Sequence, residues 1–175
     1  MLKRCYVNWA ITLVACLSLS THSFALGDPS FVSSFPAVNN FRLVADDYTA
    51  ALYHDENADP AIKQALTHLR QDIQRVSGSR PRLVTDQKKL KSYTLIAGQI
   101  GKSPLIDRLI AERQIDISAI ANQWEGYLIQ VVRKPVEGVD LGLVVAGADR
   151  RGTAYGIYEI SEQIGVSPWY WWADV

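Results

Sequence analysis

Apolar residues recur along this chain with distinct periods, and the periods divide it. From Trp9 to Leu19 the run is almost unbroken. Beyond residue 40, short apolar bursts at 41–44, 50–54, 82–85, 93–97, 127–132 and 141–146 read as strands. The last of these has nearly no polar residue, which predicts a strand buried on both faces. Between the bursts the spacing lengthens to that of a helix. Ile62, Leu66, Leu69, Ile73 and Val76 share one face. Asp59-Pro60 before them supplies a cap and a preset first turn, and Gly78 after them a stop, which predicts a helix over 60–76. Ser103-Pro104 repeats the start signal ahead of Leu105, Ile106, Leu109 and Ile110, and a third helix is expected over 150–164, stopped by Gly165. Two strands and a helix, three times over, predict an α+β two-layer sandwich: a mixed sheet with helices packed on one face. Residues 26–40, with Pro29, Pro36 and Asn39-Asn40, read as an irregular lead-in to a domain over 41–166.

Composition narrows the class. The chain has 175 residues, 48% hydrophobic and 21% charged, with 18 basic against 18 acidic residues. That is a globular composition, with no electrostatic case for nucleic acid. Lys3 and Arg4, the apolar run and Ser23-Phe24-Ala25 together describe an export signal over 1–25, cleaved after Ala25. The run is too short for a membrane span. Its alternative is a lipoprotein signal, since Leu13-Val14-Ala15-Cys16 fits the pattern ahead of a lipid-modified cysteine. Both cysteines, Cys5 and Cys16, lie in this segment, so the exported domain is stabilised without disulfides and carries 16 basic against 18 acidic residues. The expected location is periplasmic or extracellular.

Candidate chemistry is sparse. The Gly98-Gln99-Ile100-Gly101-Lys102-Ser103 turn resembles a phosphate loop. Only two residues separate its glycines where four are needed to wrap phosphates, and Pro104 removes an N–H at the helix start. Nucleotide binding is therefore rejected. His22, His54 and His68 have no metal-ligand spacing, and no Gly-x-Ser-x-Gly elbow appears. No catalytic, metal or cofactor residue is assigned. Asp46-Asp47 and Asp55-Glu56 read as solvated loop acids, because sequence neighbours do not face each other across a cleft. Gly152 and Gly156 share a bare helical face, which predicts backbone packed closely on the sheet. Arg150 and Arg151 open that helix as candidates for an acidic sugar or for pairing with nearby acids. The chain closes on Trp169, Tyr170, Trp171, Trp172 and Asp174, which together hold three of its five tryptophans. So aromatic a run needs a cover, and reads either as a sugar platform or as one half of an interface.

The segments Gly-Gln-Ile-Gly-Lys-Ser-Pro-Leu-Ile-Asp at 98–107, Trp124-Glu125, and the thirty residues 146–175 resemble the N-terminal domain of glycoside hydrolase family 115. The resemblance runs over 41–175. It implies a small α+β module preceding a (β/α)8 barrel, in enzymes that remove (4-O-methyl)glucuronic acid from glucuronoxylan with inversion. The catalytic acids of that family lie on the barrel, so the resemblance places none here. It aligns 167–175 with the linker into the first barrel strand. The expectation is thus an N-terminal fragment, inactive alone, whose tail and Arg150-Arg151 lie near a barrel missing in cis or supplied in trans. The alternative is an exported carbohydrate-binding module that uses its tail aromatics.

Overall fold

The computed structural model describes residues 30–35, 37, 40–45 and 48–166. The segment 1–25 read as an export signal, Asp46-Asp47 and the tail with Trp169, Tyr170, Trp171, Trp172 and Asp174 lie outside the described residues. Two compact units divide the chain, Met1–Ser30 and Phe31–Val175, and the helices and strands of the described residues all belong to the second.

Its elements are β1 (Val44–Ala45), β2 (Tyr48–Thr49), β3 (Ala51–Tyr53), α1 (Pro60–Ser77), β4 (Leu83–Val84), a short 3-10 turn (Gln87–Lys89), β5 (Tyr93–Gln99), α2 (Pro104–Ala111), β6 (Tyr127–Arg133), β7 (Leu141–Gly147) and α3 (Arg150–Gln163). Strands β1 and β2 form a separate antiparallel pair. The main sheet has the order β4-β3-β5-β7-β6. Its first four strands run parallel, and β6 lies antiparallel on the edge of β7. The expected α+β class and mixed sheet are both present.

Caps set the helix boundaries as the sequence predicts. Asp59 accepts from the Ala61 N–H at 2.9 Å, Pro60 opens α1, and Gly78 closes it at φ 76°. Ser103 accepts from Ile106 N–H at 3.3 Å to start α2. Asp149 accepts from Gly152 N–H at 2.8 Å to start α3.

The distribution of the helices differs from the two-layer expectation. Side chains of β5 alternate: Leu95 and Ala97 join Ile62, Leu66 and Leu69 of α1 and Ile157 and Ile160 of α3. Ile96 points the other way, into a cluster with Leu105, Ile106 and Leu109 of α2. Helices therefore cover both faces, α1 and α3 on one and α2 on the other. The physical reason lies in the strands. Those of the sheet interior, β3, β5 and β7, are buried along almost their whole length, so each presents two apolar faces and each face needs a cover.

The bare face of α3 packs as expected. A Cβ on Gly156 would stand 2.8 Å from Val145 Cγ1, and one on Gly152 would stand 2.3 Å from the Gly126 carbonyl oxygen.

Candidate functional site

In a sheet of this topology the chain leaves neighbouring strands β3 and β5 toward opposite faces, β3 into α1 and β5 into α2. The loops diverge and open a crevice at the carboxyl ends of the two strands, the place where open sheets of this kind bind ligands. The crevice is about 160 Å³, and Asp55, Asp59, Gln99, Lys102 and Ser103 are among its lining residues.

Its two carboxylates and the Ser103 hydroxyl are committed to neighbouring groups of the protein. Tyr53 donates to Asp55 Oδ1 at 2.8 Å, and Ser103 Oγ donates to Asp55 Oδ2. Burial, and then the bond to Asp55, pushes the Tyr53 phenol up to about 12. Asp55 thus ties the end of β3 to the start of α2 and is more than the solvated loop acid expected from sequence. Asp59 caps α1 with one oxygen, and its other oxygen lies 3.7 Å from Arg150 Nη1. Neither carboxylate is disposed as a free acid or base.

The N–H groups of the 98–103 turn are taken up within the protein. Ile100 N–H donates to the Gly147 carbonyl at 2.9 Å and Gly101 N–H to Asp107 at 2.7 Å. Lys102 and Ser103 N–H groups both donate to the Gln99 carbonyl, at 3.1 and 2.9 Å. Four donors that would cradle a phosphate are spent on the protein itself. Gly98 is there for space, since a Cβ would meet Ser103 Cβ at 2.6 Å.

A second constellation stands on the same edge of the sheet, where β6 begins opposite the end of β7. Residues 124–126 are clamped onto the first turn of α3. Glu125 N–H donates to Asp149 Oδ2 at 2.9 Å, and Ala148 N–H donates to the Gly126 carbonyl at 2.9 Å. Glu125 holds φ 60°, a left-handed conformation that costs a side-chain-bearing residue about 1–2 kcal/mol. The clamp leaves Trp124 78% exposed. Arg151 Cζ lies 5.2 Å from the centre of that ring and 5.9 Å from the ring of Tyr155, close enough for cation–π attraction. Its Nη2 sits 2.9 Å from Glu125 Oε1 and donates to Tyr155 Oη at 3.1 Å. The Glu125 contact is an ion pair without hydrogen-bond geometry, for Oε1 is buried and has no hydrogen-bond partner. Backbone donors, Gly152 first and then Glu125, hold the Asp149 carboxyl below its ordinary value. The Tyr155 hydroxyl, followed by Glu125, raises Arg151.

Arg150 and Arg151, the two described members of the predicted site, thus both pair with acids, at Asp59 and Glu125. Sequence reasoning used Trp124-Glu125 only for resemblance and missed it as a surface feature. The signal was a tryptophan in a polar, glycine-containing stretch outside any periodic element. His54 is buried with Nδ1 2.8 Å from the Asp55 carbonyl, and His68 Nδ1 lies 2.8 Å from Tyr158 Oη. Among the described residues no three His, Cys, Asp or Glu side chains converge, and no helix is long and apolar enough to cross a membrane.

Residues 38–160 match the family described as glycosyl hydrolase family 67 N-terminus. Among solved structures, the chain resembles a family GH115 4-O-methyl-α-glucuronidase with specificity for decorated arabinogalactans. The TM-score is 0.55 at 36% identity, over 70% of this chain and 14% of that one. A weaker likeness, TM-score 0.47 at 15% identity, joins 68% of this chain to 18% of CpGH84D. No curated relative matches the chain.

Proposed function

From the premise that the chain belongs to the glycosyl hydrolase family 67 N-terminal domains and is the N-terminal domain of an α-glucuronidase-like glycoside hydrolase, we propose that it is the non-catalytic module of an exported enzyme. That enzyme removes (4-O-methyl)glucuronic acid from a decorated plant polysaccharide, glucuronoxylan in the first instance. The 36% identity to a 4-O-methyl-α-glucuronidase carries the activity. The non-catalytic role rests on the carboxylates themselves. Inverting hydrolysis needs two facing acids roughly 6.5–9.5 Å apart with room for water. In the crevice, Asp55 and Asp59 are instead consumed as tether and cap. Export is supported by the basic, apolar, small-residue order of the first 25 residues. A partner barrel, in cis or in trans, supplies the acids.

One observation favours a second polysaccharide. The similar GH115 enzyme has specificity for decorated arabinogalactans, so arabinogalactan belongs beside xylan in the assay. The 175-residue chain is expected to release no glucuronic acid from either polymer. Joined to the catalytic body of its own enzyme, it is expected to support release from one of them, with the β-anomer appearing first by proton NMR. Release by the chain alone would overturn the non-catalytic role, and an α-anomer first would overturn inversion.

A further inference from the structure

The Trp124 shoulder serves no purpose that the fold requires. A ring that is 78% exposed contributes little to the core, yet it sits on a backbone whose conformation is unfavourable at Glu125 and is enforced from several sides. Asp149 fixes the Glu125 N–H, Ala148 fixes the Gly126 carbonyl, and Gly152 gives up its side chain so that carbonyl can approach. Arg151 then lies against the ring, itself fixed by Glu125 and Tyr155. The clamp fixes the backbone from which the ring projects, and Arg151 restricts the ring from one side, so part of the ordering cost is already met by the fold. Preorganisation of that kind lowers the entropic cost of binding something to the ring.

We propose that Trp124 is a carbohydrate-stacking site, with the pyranose ring of a neutral polysaccharide backbone as its ligand. The match is chemical. One face of a pyranose carries axial C–H bonds with slight positive charge, and an indole offers a broad, negative π face of similar size. Around a stacked sugar, hydroxyl groups need polar partners at the rim. Arg151 supplies guanidinium N–H groups beyond the Nη2 already engaged, and Tyr155 supplies a hydroxyl. The local charges offset one another, Arg151 against Glu125 and Arg150 against Asp59, which suits a neutral sugar better than an acidic one. A protein partner would be expected to demand a wider apolar patch than one ring within a charged rim. The proposal draws on the glycoside-hydrolase reading only for the choice of probes.

Affinity electrophoresis of the full chain through native gels with and without soluble xylan or arabinogalactan tests it. Retardation is expected in at least one polymer. Trp124→Ala is expected to weaken it roughly tenfold or more, as loss of a central aromatic anchor does, while Trp124→Tyr keeps most of it. The melting temperature of Trp124→Ala should stay at the wild-type value, which separates lost binding from lost folding. No retardation of the wild type would overturn the proposal. So would equal retardation of Trp124→Ala, which would move binding to other aromatics. Neither result bears on whether the enzyme releases glucuronic acid, so the two proposals fail separately.

Discussion

The crevice between β3 and β5 and the shoulder beside β7 share one edge of one sheet, and they use their polar groups in opposite ways. In the crevice, polar groups are turned inward. Asp55 takes two hydroxyl bonds, Asp59 caps a helix, and the N–H groups of the 98–103 turn are spent on the protein itself. At the shoulder the same kinds of bond hold a strained loop that projects a large ring into solvent. The topology marks the crevice as the ordinary ligand position, yet the side chains have made it a joint. The feature with an outward face is the one the topology does not single out.

The contrast breaks most severely at Gly152. In Gly152→Ala the new methyl group would meet the Gly126 carbonyl oxygen at 2.3 Å, so the 124–126 loop must move off α3. Overpacking of this kind costs about 1–3 kcal/mol, and the backbone contact puts it at the upper end. Denaturant unfolding should record that loss, and Trp124 fluorescence should change with it. A variant as stable as wild type would show that the clamp is looser than its geometry. Asp55→Asn tests the joint. Asparagine offers one acceptor where Tyr53 and Ser103 each need one, and the expected loss is about 1–2 kcal/mol. The shoulder should be untouched, read as an unchanged Trp124 signal.

Asp149→Asn has the smallest effect and is the most specific in pH. The folded carboxyl is held below its ordinary value of 3.8 by the N–H groups of Gly152 and Glu125. A depressed folded value stabilises the protein above the ordinary one, and that contribution is lost as pH falls through the depressed value. Wild type should therefore exceed Asp149→Asn in stability at pH 7, and the gap should narrow as pH falls below 3.8. A gap that stays constant with pH would assign the effect to packing.

Much of the fold was legible because it is local. Asp59-Pro60 with Gly78, and Ser103-Pro104, mark helix ends through bonds to residues two to four positions away, and the structure places those ends within a residue or two. The apolar run in 141–146 also foretold a strand buried on both faces. Two covered faces require helices on both, and α2 took the second. At the site, the bare face of α3 was readable from the spacing of Gly152 and Gly156. Arg151 was readable only as a cation.

What the sequence determined by itself is the set of elements, their caps, the failed phosphate loop and the family. These depend on spacing and on short-range hydrogen bonds. Tertiary structure alone decided which groups Asp55 and Trp124 meet. Asp55 meets Ser103 from 48 positions away, and Trp124 meets Arg151 only because β7 runs back along β6 and brings the first turn of α3 beside the start of β6. Whether a carboxylate is spent or a ring is presented depends on partners distant in the chain, and the strand order that brings them together is not written in local sequence.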